Sequence, residues 1–127
     1  MTRILLVEDD TQVRDMLRET LIQEHYEVVE AANGREAIDL YRQSPCDVVI
    51  TDIIMPEQDG VETIHTLRRE FPKVKIIAIS GGSANIAGDY LLGTAGALGA
   101  VNTFHKPVDM TLLLDAVKTA VAASSQS

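Results

Sequence analysis

The sequence predicts an α/β domain in which a parallel β-sheet is covered on both faces by helices. Five short apolar runs supply the strands: Ile4 to Val7, Tyr26 to Ala31, Val48 to Ile50, Val74 to Ile79 and Val101 to Phe104, four of them rich in valine and isoleucine. The segments between them carry helical spacing, and the runs are nearly continuous in apolar residues, as strands buried on both faces are. This alternation fits into 127 residues, 46% of them hydrophobic, enough for one compact domain with a core and too few for two.

Each element has its own signal. The first run leads directly into Glu8, Asp9 and Asp10, after which Val13, Leu17 and Leu21 recur at helical spacing. Beyond the second run, Asn33 followed three residues later by Glu36 forms a capping-box-like pattern, opening a helix with Ala37, Ile38 and Tyr41 on its apolar face. The third strand ends at Asp52; Pro56 and Gly60 then fix a turn, and Val61, Ile64 and Leu67 mark a third helix. The fourth strand ends at Ser80. From Gly81 to Gly99 lie six of the eight glycines, each costing a helix about 1 kcal/mol relative to alanine. Ala87, Leu91, Leu92, Ala95 and Leu98 still offer an apolar face, so a weak helix is expected there, in a segment able to move. The fifth strand is followed by Lys106 and Pro107, and Asp109 or Thr111 starts the last helix. The expected domain covers 1–122, with 123–127, within the small and polar stretch "AASSQS", as a flexible tail.

Composition removes several functions. "MTRILLVEDD" reaches acids after four apolar residues, unlike a signal peptide, and no apolar run approaches the roughly 20 residues of a membrane span, so a cytoplasmic protein is expected. The single Cys46 excludes an internal disulfide and a cysteine-based metal cage. A net charge of −8 argues against direct nucleic-acid binding, which needs lysine and arginine on phosphates. His25, His65 and His105 lack metal-ligand spacing and read as surface or packing residues.

The strand ends carry the chemistry. In open parallel sheets ligands sit beyond the carboxyl ends of the strands, at a topological switch point. Here those ends offer Glu8, Asp9 and Asp10, then Asp52, Ser80, and Lys106 with Pro107. Converging carboxylates repel one another unless a cation holds them ionised, and an all-oxygen donor set selects magnesium or a similar hard ion. A lysine and a serine hydroxyl can then match the remaining oxygens of a phosphoryl group. Asp52, on the middle run, is the candidate nucleophile. Taken singly, each residue has an ordinary explanation: acids at a helix N-terminus for Glu8, Asp9 and Asp10, turn residues for Ser80 and Lys106. Their joint occurrence at four strand ends favours the reactive site.

In its order of motifs, "ILLVEDD", "DVVITDIIMPEQDG", "IIAISGG" and "FHKP", the chain resembles the receiver domain of two-component response regulators from Arg3 to about Val121. The resemblance implies a five-stranded, doubly wound fold, flavodoxin-like or CheY-like, with strand order 2-1-3-4-5 and five helices. It implies phosphoryl transfer from a phosphohistidine, on a histidine kinase or histidine phosphotransfer protein, to Asp52. Mg²⁺, or Mn²⁺, would be held by Asp9 directly, by Glu8 through water, by Asp52 and by the backbone carbonyl of Ile54. The position of Arg14, five after Asp9, sets that register and leaves Asp10 outside the metal shell. Ser80 would bind the phosphoryl group and Lys106 would sense it; Thr103 and Pro107 belong to the switch and cis-proline region. Ile54 and Gly82 occupy positions that tune the lifetime of the acyl phosphate.

One departure from the family pattern concerns switching. An aromatic residue usually stands three places before the lysine, where this chain has Thr103; the neighbouring Phe104 points to the opposite face and is expected in the core. Reordering of Gly81 to Gly99 on phosphorylation is the alternative switch. The implied downstream partner surface runs from Ala84 to Val121, and a phosphate shuttle or sink in a relay is the variant of the same reading. Three other functions compete. A phosphatase needs a second acid two residues after the nucleophile, where Ile54 stands, so the chain is not expected to be an enzyme on external substrates. A phosphorylation-independent docking module would not need the complete acid, serine and lysine set. A nucleotide or flavin site would need a glycine loop after the first strand, where "VEDDTQ" places negative charge.

Overall fold

The computed structural model describes residues 2–53, 60–80, 102–105 and 108–125. Its strands are β1 (Arg3–Val7), β2 (Glu27–Ala31), β3 (Val48–Asp52), β4 (Ile76–Ser80) and β5 (Asn102–His105). All pair in parallel, in the order β2-β1-β3-β4-β5. Helices α1 (Thr11–Gln23), α2 (Gly34–Gln43) and α3 (Gly60–Glu70) connect them, and a C-terminal helix spans Met110–Ser125. The weak helix expected within Gly81 to Gly99 lies outside the described residues.

Strand alternation divides the core into two layers. Leu5, Val7, Val49, Ile76 and Ala78 face α2 and α3, meeting Ala37, Ile38, Tyr41, Ile64 and Leu67. Ile4, Leu6, Val48, Ile50, Ile77 and Ile79 face α1 and the C-terminal helix, meeting Leu17, Leu21, Leu113 and Val117. The sheet is thus doubly wound. All five residues of β3 are buried, as are four of β1, which explains their unbroken apolar runs; at the edges, β2 begins exposed and Asn102 and Thr103 of β5 are exposed.

Helix ends follow the expected caps. Asn33 Oδ1 accepts from the amide of Glu36 (2.9 Å), and Asp109 Oδ1 accepts from Thr111 (3.0 Å) and Leu112 (3.2 Å). The C-terminal helix continues through 123–125, residues expected in the tail, because its alanines are strong helix formers. Gly60, expected in a turn, is the first residue of α3. Val74 precedes β4: its amide donates to Phe71 O (2.9 Å) and its carbonyl accepts from Arg68 Nη1 (3.0 Å). The outer ends of α2 and α3 are tied by Arg42, whose Nε donates to Glu70 Oε1 (2.8 Å). That bond holds the Glu70 carboxyl below its usual range, so its small, exposed contribution is present above the ordinary carboxylate pKa and lost as pH falls through the lowered one.

The end of α1 gives His25 a definite role. The amide of His25 bonds Ile22 O (2.9 Å) and that of Tyr26 bonds Leu21 O (3.2 Å), a Schellman arrangement that places His25 in the left-handed region at φ 67°. Tyr26, expected in the second strand, therefore belongs to this turn and packs, half-buried, against the layer that contains Leu21. His25→Gly is expected to stabilise the chain by about 1 kcal/mol, because glycine has no Cβ to crowd this conformation. Urea denaturation of both forms measures it.

Candidate functional site

β1 and β3 are adjacent, with Val7 beside Thr51, so Glu8 and Asp52 emerge together at the carboxyl edge of the sheet. The chain goes from β1 outward to β2 and then crosses to β3 on the other side, which makes this gap the switch point. Carboxylate oxygens of Glu8, Asp9 and Asp52 lie within 4.8 Å of one another. Glu8 is 1% exposed and Asp52 3%, whereas Asp9 is exposed.

Backbone bonds hold these acids in place. The Glu8 amide donates to Ala31 O of β2 (3.0 Å), and Arg14 Nη1 donates to the Glu8 carbonyl (2.8 Å). Glu8 Oε2 in turn accepts from the Asp10 amide (3.2 Å). Asp52 is paired with Ile79 of β4, and the next amide, Ile53 N, donates to Ile79 O (2.9 Å). The buried Thr51 hydroxyl donates to the Asp52 carbonyl (3.0 Å). The acceptor candidate therefore stands on a rigid strand rather than a loop, as a preorganised site requires.

Asp10 has a different task. Its Oδ1 accepts from the amides of Gln12 (2.9 Å) and Val13 (3.3 Å), making it the N-cap of α1. Asp9 therefore stands in the acid cluster while Asp10 caps the helix. Asp10→Ala is expected to cost about 1 kcal/mol of stability. Thermal melts in EDTA measure it.

Other candidates are placed in part. Ser80 is the last residue of β4, paired with His105 of β5, so the backbone brings Ser80 to the same edge. Ile54, Gly82, Lys106 and Pro107 lie outside the described residues. Thr103, paired with Ala78, is exposed, while Phe104, paired with Ile79, packs on the layer containing Leu113 and Val117. Phe104 is half-buried against that layer, on the face opposite Thr103 as alternation required. The sequence reading did not single out Glu30, whose carboxylate pairs with Arg14 (3.9 Å) and Arg18 (3.7 Å). Its signal was the second acid of "EVVEA", placed after two valines inside β2.

The donor set suits a hard divalent ion. Oxygens bound to one such ion lie about 2.0–2.6 Å from it, so ligands of a single ion fall within the spacing of this cluster. Burial of Glu8 and Asp52 keeps their charges close in a poorly screened setting, where a cation is most needed, and the exposed Asp9 leaves a side open to water. The Cys46 thiol lies remote from this edge, at the start of β3 beside a cavity of about 410 Å³ lined by Tyr41, Arg68 and Lys75. Burial pushes it up to about 11, leaving it protonated and inert at neutral pH.

Comparison with known proteins agrees with this fold. Residues 4–118 match the family described as response regulator receiver domain. The chain is 40% identical over 79 residues to the chemotaxis protein CheY of Thermotoga maritima, covering 61% of this chain and 66% of that one. It is 30% identical over 117 residues to sporulation initiation phosphotransferase F of Bacillus subtilis, covering 91% and 90%. A crystal structure of a CheY-like receiver domain protein from Methanospirillum hungatei superposes with a TM-score of 0.87 at 27% identity, covering 99% of this chain and 98% of that one. The chain belongs to the response regulator receiver domain family. Among the described residues, no helix is long and apolar enough to cross a membrane.

Proposed function

We propose that the chain is a phosphoacceptor switch in which Asp52 takes a phosphoryl group from a phosphohistidine. The carrying observation is the near-complete burial of Asp52 at the β1/β3 switch point, within 4.8 Å of the Glu8 and Asp9 carboxylates. A carboxylate oxygen of Asp52 attacks phosphorus, the P–N bond breaks, and its electron pair leaves with the imidazole. The product is an aspartyl phosphate. Attack of water on phosphorus later releases inorganic phosphate and restores the carboxylate. Mg²⁺, with Mn²⁺ as substitute, supplies charge neutralisation when held by Glu8, Asp9, Asp52 and the Ile54 carbonyl. The Ser80 hydroxyl and the Lys106 ammonium take the other phosphoryl oxygens, by the family pattern. This self-modification is the only covalent chemistry, since Ile54 offers no acid for turnover of external substrates.

The donor is a histidine kinase or a histidine phosphotransfer protein, which family membership supports. The downstream partner binds along the stretch from Ala84 to Val121, to which β5 and the C-terminal helix belong. There Asn102, Phe104, Leu112 and Asp115 border a shallow cavity of about 380 Å³, and Leu112 is 55% exposed. With Thr103 exposed where an aromatic switch residue usually stands, signalling rests on reordering of the segment from Gly81 to Gly99, whose amide-exchange protection should differ with and without a phosphate analogue. A phosphate shuttle is the second reading, favoured by similarity along most of the chain to a protein named as a phosphotransferase. Incubation with a radiolabelled phosphohistidine protein tests both. Label should move to this chain and not to Asp52→Asn; its onward passage to a second histidine protein would select the shuttle, and absence of any label would refute the proposal.

A further inference from the structure

We infer that Arg14 is a positioning residue for the acidic edge, raising its cation affinity even though it brings positive charge beside it. The inference rests on the proposed cation site. Arg14 Nη1 donates to the backbone carbonyl of Glu8 (2.8 Å), while the Glu8 amide is tied to Ala31 O (3.0 Å). Glu8 Oε2 accepts the amide of Asp10, and Asp10 is fixed as the cap of α1, to which Arg14 itself belongs. Asp9 thus lies between two residues whose main chain is pinned, and the Arg14 bond closes the ring from helix to strand end.

Arg14 is itself oriented from β2. Its Nε lies 3.9 Å from Glu30 Oε1, and Arg18 Nη1 lies 3.7 Å from the same oxygen. Glu30 stands beside Leu6 in the β1/β2 register, two residues before Glu8, so the clamp spans α1, β1 and β2 at one level. The Arg14 side chain is 19% exposed, less than the 36% of Arg18, as expected for the member that reaches the strand end. The guanidinium spreads its charge over separated nitrogens, so Nη1 reaches the carbonyl while Nε keeps ion-pair distance from Glu30; the three donors of a lysine radiate from one nitrogen, which cannot occupy both places.

Two effects of Arg14 on a bound cation oppose each other. Its charge repels a divalent ion, whereas its hydrogen bond fixes the turn that presents Asp9 and Glu8. Groups that orient metal ligands without touching the metal typically carry about 10–100-fold in affinity. Repulsion across partly solvated protein is screened, so positioning wins. The sign of the change on mutation therefore separates the two accounts.

The test is isothermal titration of Mg²⁺ into the full chain and into Arg14→Met, Arg14→Lys and Arg18→Met, with amide exchange at Asp9 and Asp10 followed by NMR in EDTA. Arg14→Met and Arg14→Lys are each expected to weaken Mg²⁺ by about tenfold and to speed exchange at Asp10 before any cation is added. Arg18→Met, which removes a like charge but no bond to Glu8, should stay within about twofold. Tighter binding by Arg14→Met would show that charge dominates, and unchanged binding with a lowered melting temperature would reduce Arg14 to a structural role; either overturns the inference. If Arg14→Met fails to fold, Arg14→Lys decides alone, because it keeps the charge and loses the fork. Absence of Mg²⁺ binding by the unaltered chain would instead overturn the cation site, and this inference with it.

Discussion

In the absence of divalent cations, Asp52→Asn is expected to melt at a higher temperature than the unaltered chain. Carboxylate oxygens of Glu8, Asp9 and Asp52 approach within 4.8 Å, and two of the three residues are buried. A pair of like charges at that spacing repels by about 3 kcal/mol at an effective dielectric near 20, and relaxation and water access reduce what folding feels. An amide of the same shape removes one charge, so a gain of about 1–2 kcal/mol is expected, equivalent to roughly 3–6 °C for a domain of this size. Mg²⁺ should reverse the order. At a hundred times its dissociation constant it adds about 2.7 kcal/mol to the form that binds it, more than the variant gains, and little to the variant with a ligand neutralised. Melts in EDTA and in Mg²⁺ measure both parts. A variant that is less stable in EDTA, with an undiminished Mg²⁺ shift, would mean that the acids neither repel nor share an ion.

Ile50→Ala is expected to cost about 3–4 kcal/mol. Ile50 is fully buried, lies on the face covered by α1 and the C-terminal helix, and precedes Asp52 by two residues on the same side of β3. Truncation leaves a cavity between a sheet and two helices whose backbones are fixed by parallel pairing, so the site collapses little. Against a total of about 5–15 kcal/mol for a natural domain the loss is large, and Ile50→Val should cost only about 1 kcal/mol. Urea denaturation with matched slopes gives the values, and a loss below that of Ile50→Val would place the core elsewhere.

The layers and the acidic edge were legible because they depend on local pattern. Parallel strands buried on both faces read as unbroken runs such as "ILLV", and Leu17 and Leu21 or Ile64 and Leu67 mark the buried face of a helix. Period-two alternation separated Thr103 from Phe104 correctly. The apolar run of the third strand stops at Ile50 while the strand itself reaches Asp52, as its acidic end implied, because Thr51 and Asp52 are polar yet buried, the usual conflict of pattern with function at a site. What could not be read depends on which strands become neighbours. Strand order entered only through family resemblance. Pairing of Arg14 with Glu30 requires the β1/β2 register, and the left-handed turn at His25 carries no glycine to announce it.

The central claim is that Asp52 accepts a phosphoryl group with help from a divalent cation. Intact-protein mass spectrometry after acetyl phosphate treatment, acid-quenched within seconds, tests it most directly. The expected result is a gain of one phosphoryl group that disappears in EDTA and in Asp52→Asn. A gain retained by Asp52→Asn, or no gain by the unaltered chain in Mg²⁺ across the quench series, would contradict it and leave a docking module that keeps the residues of the site without their chemistry.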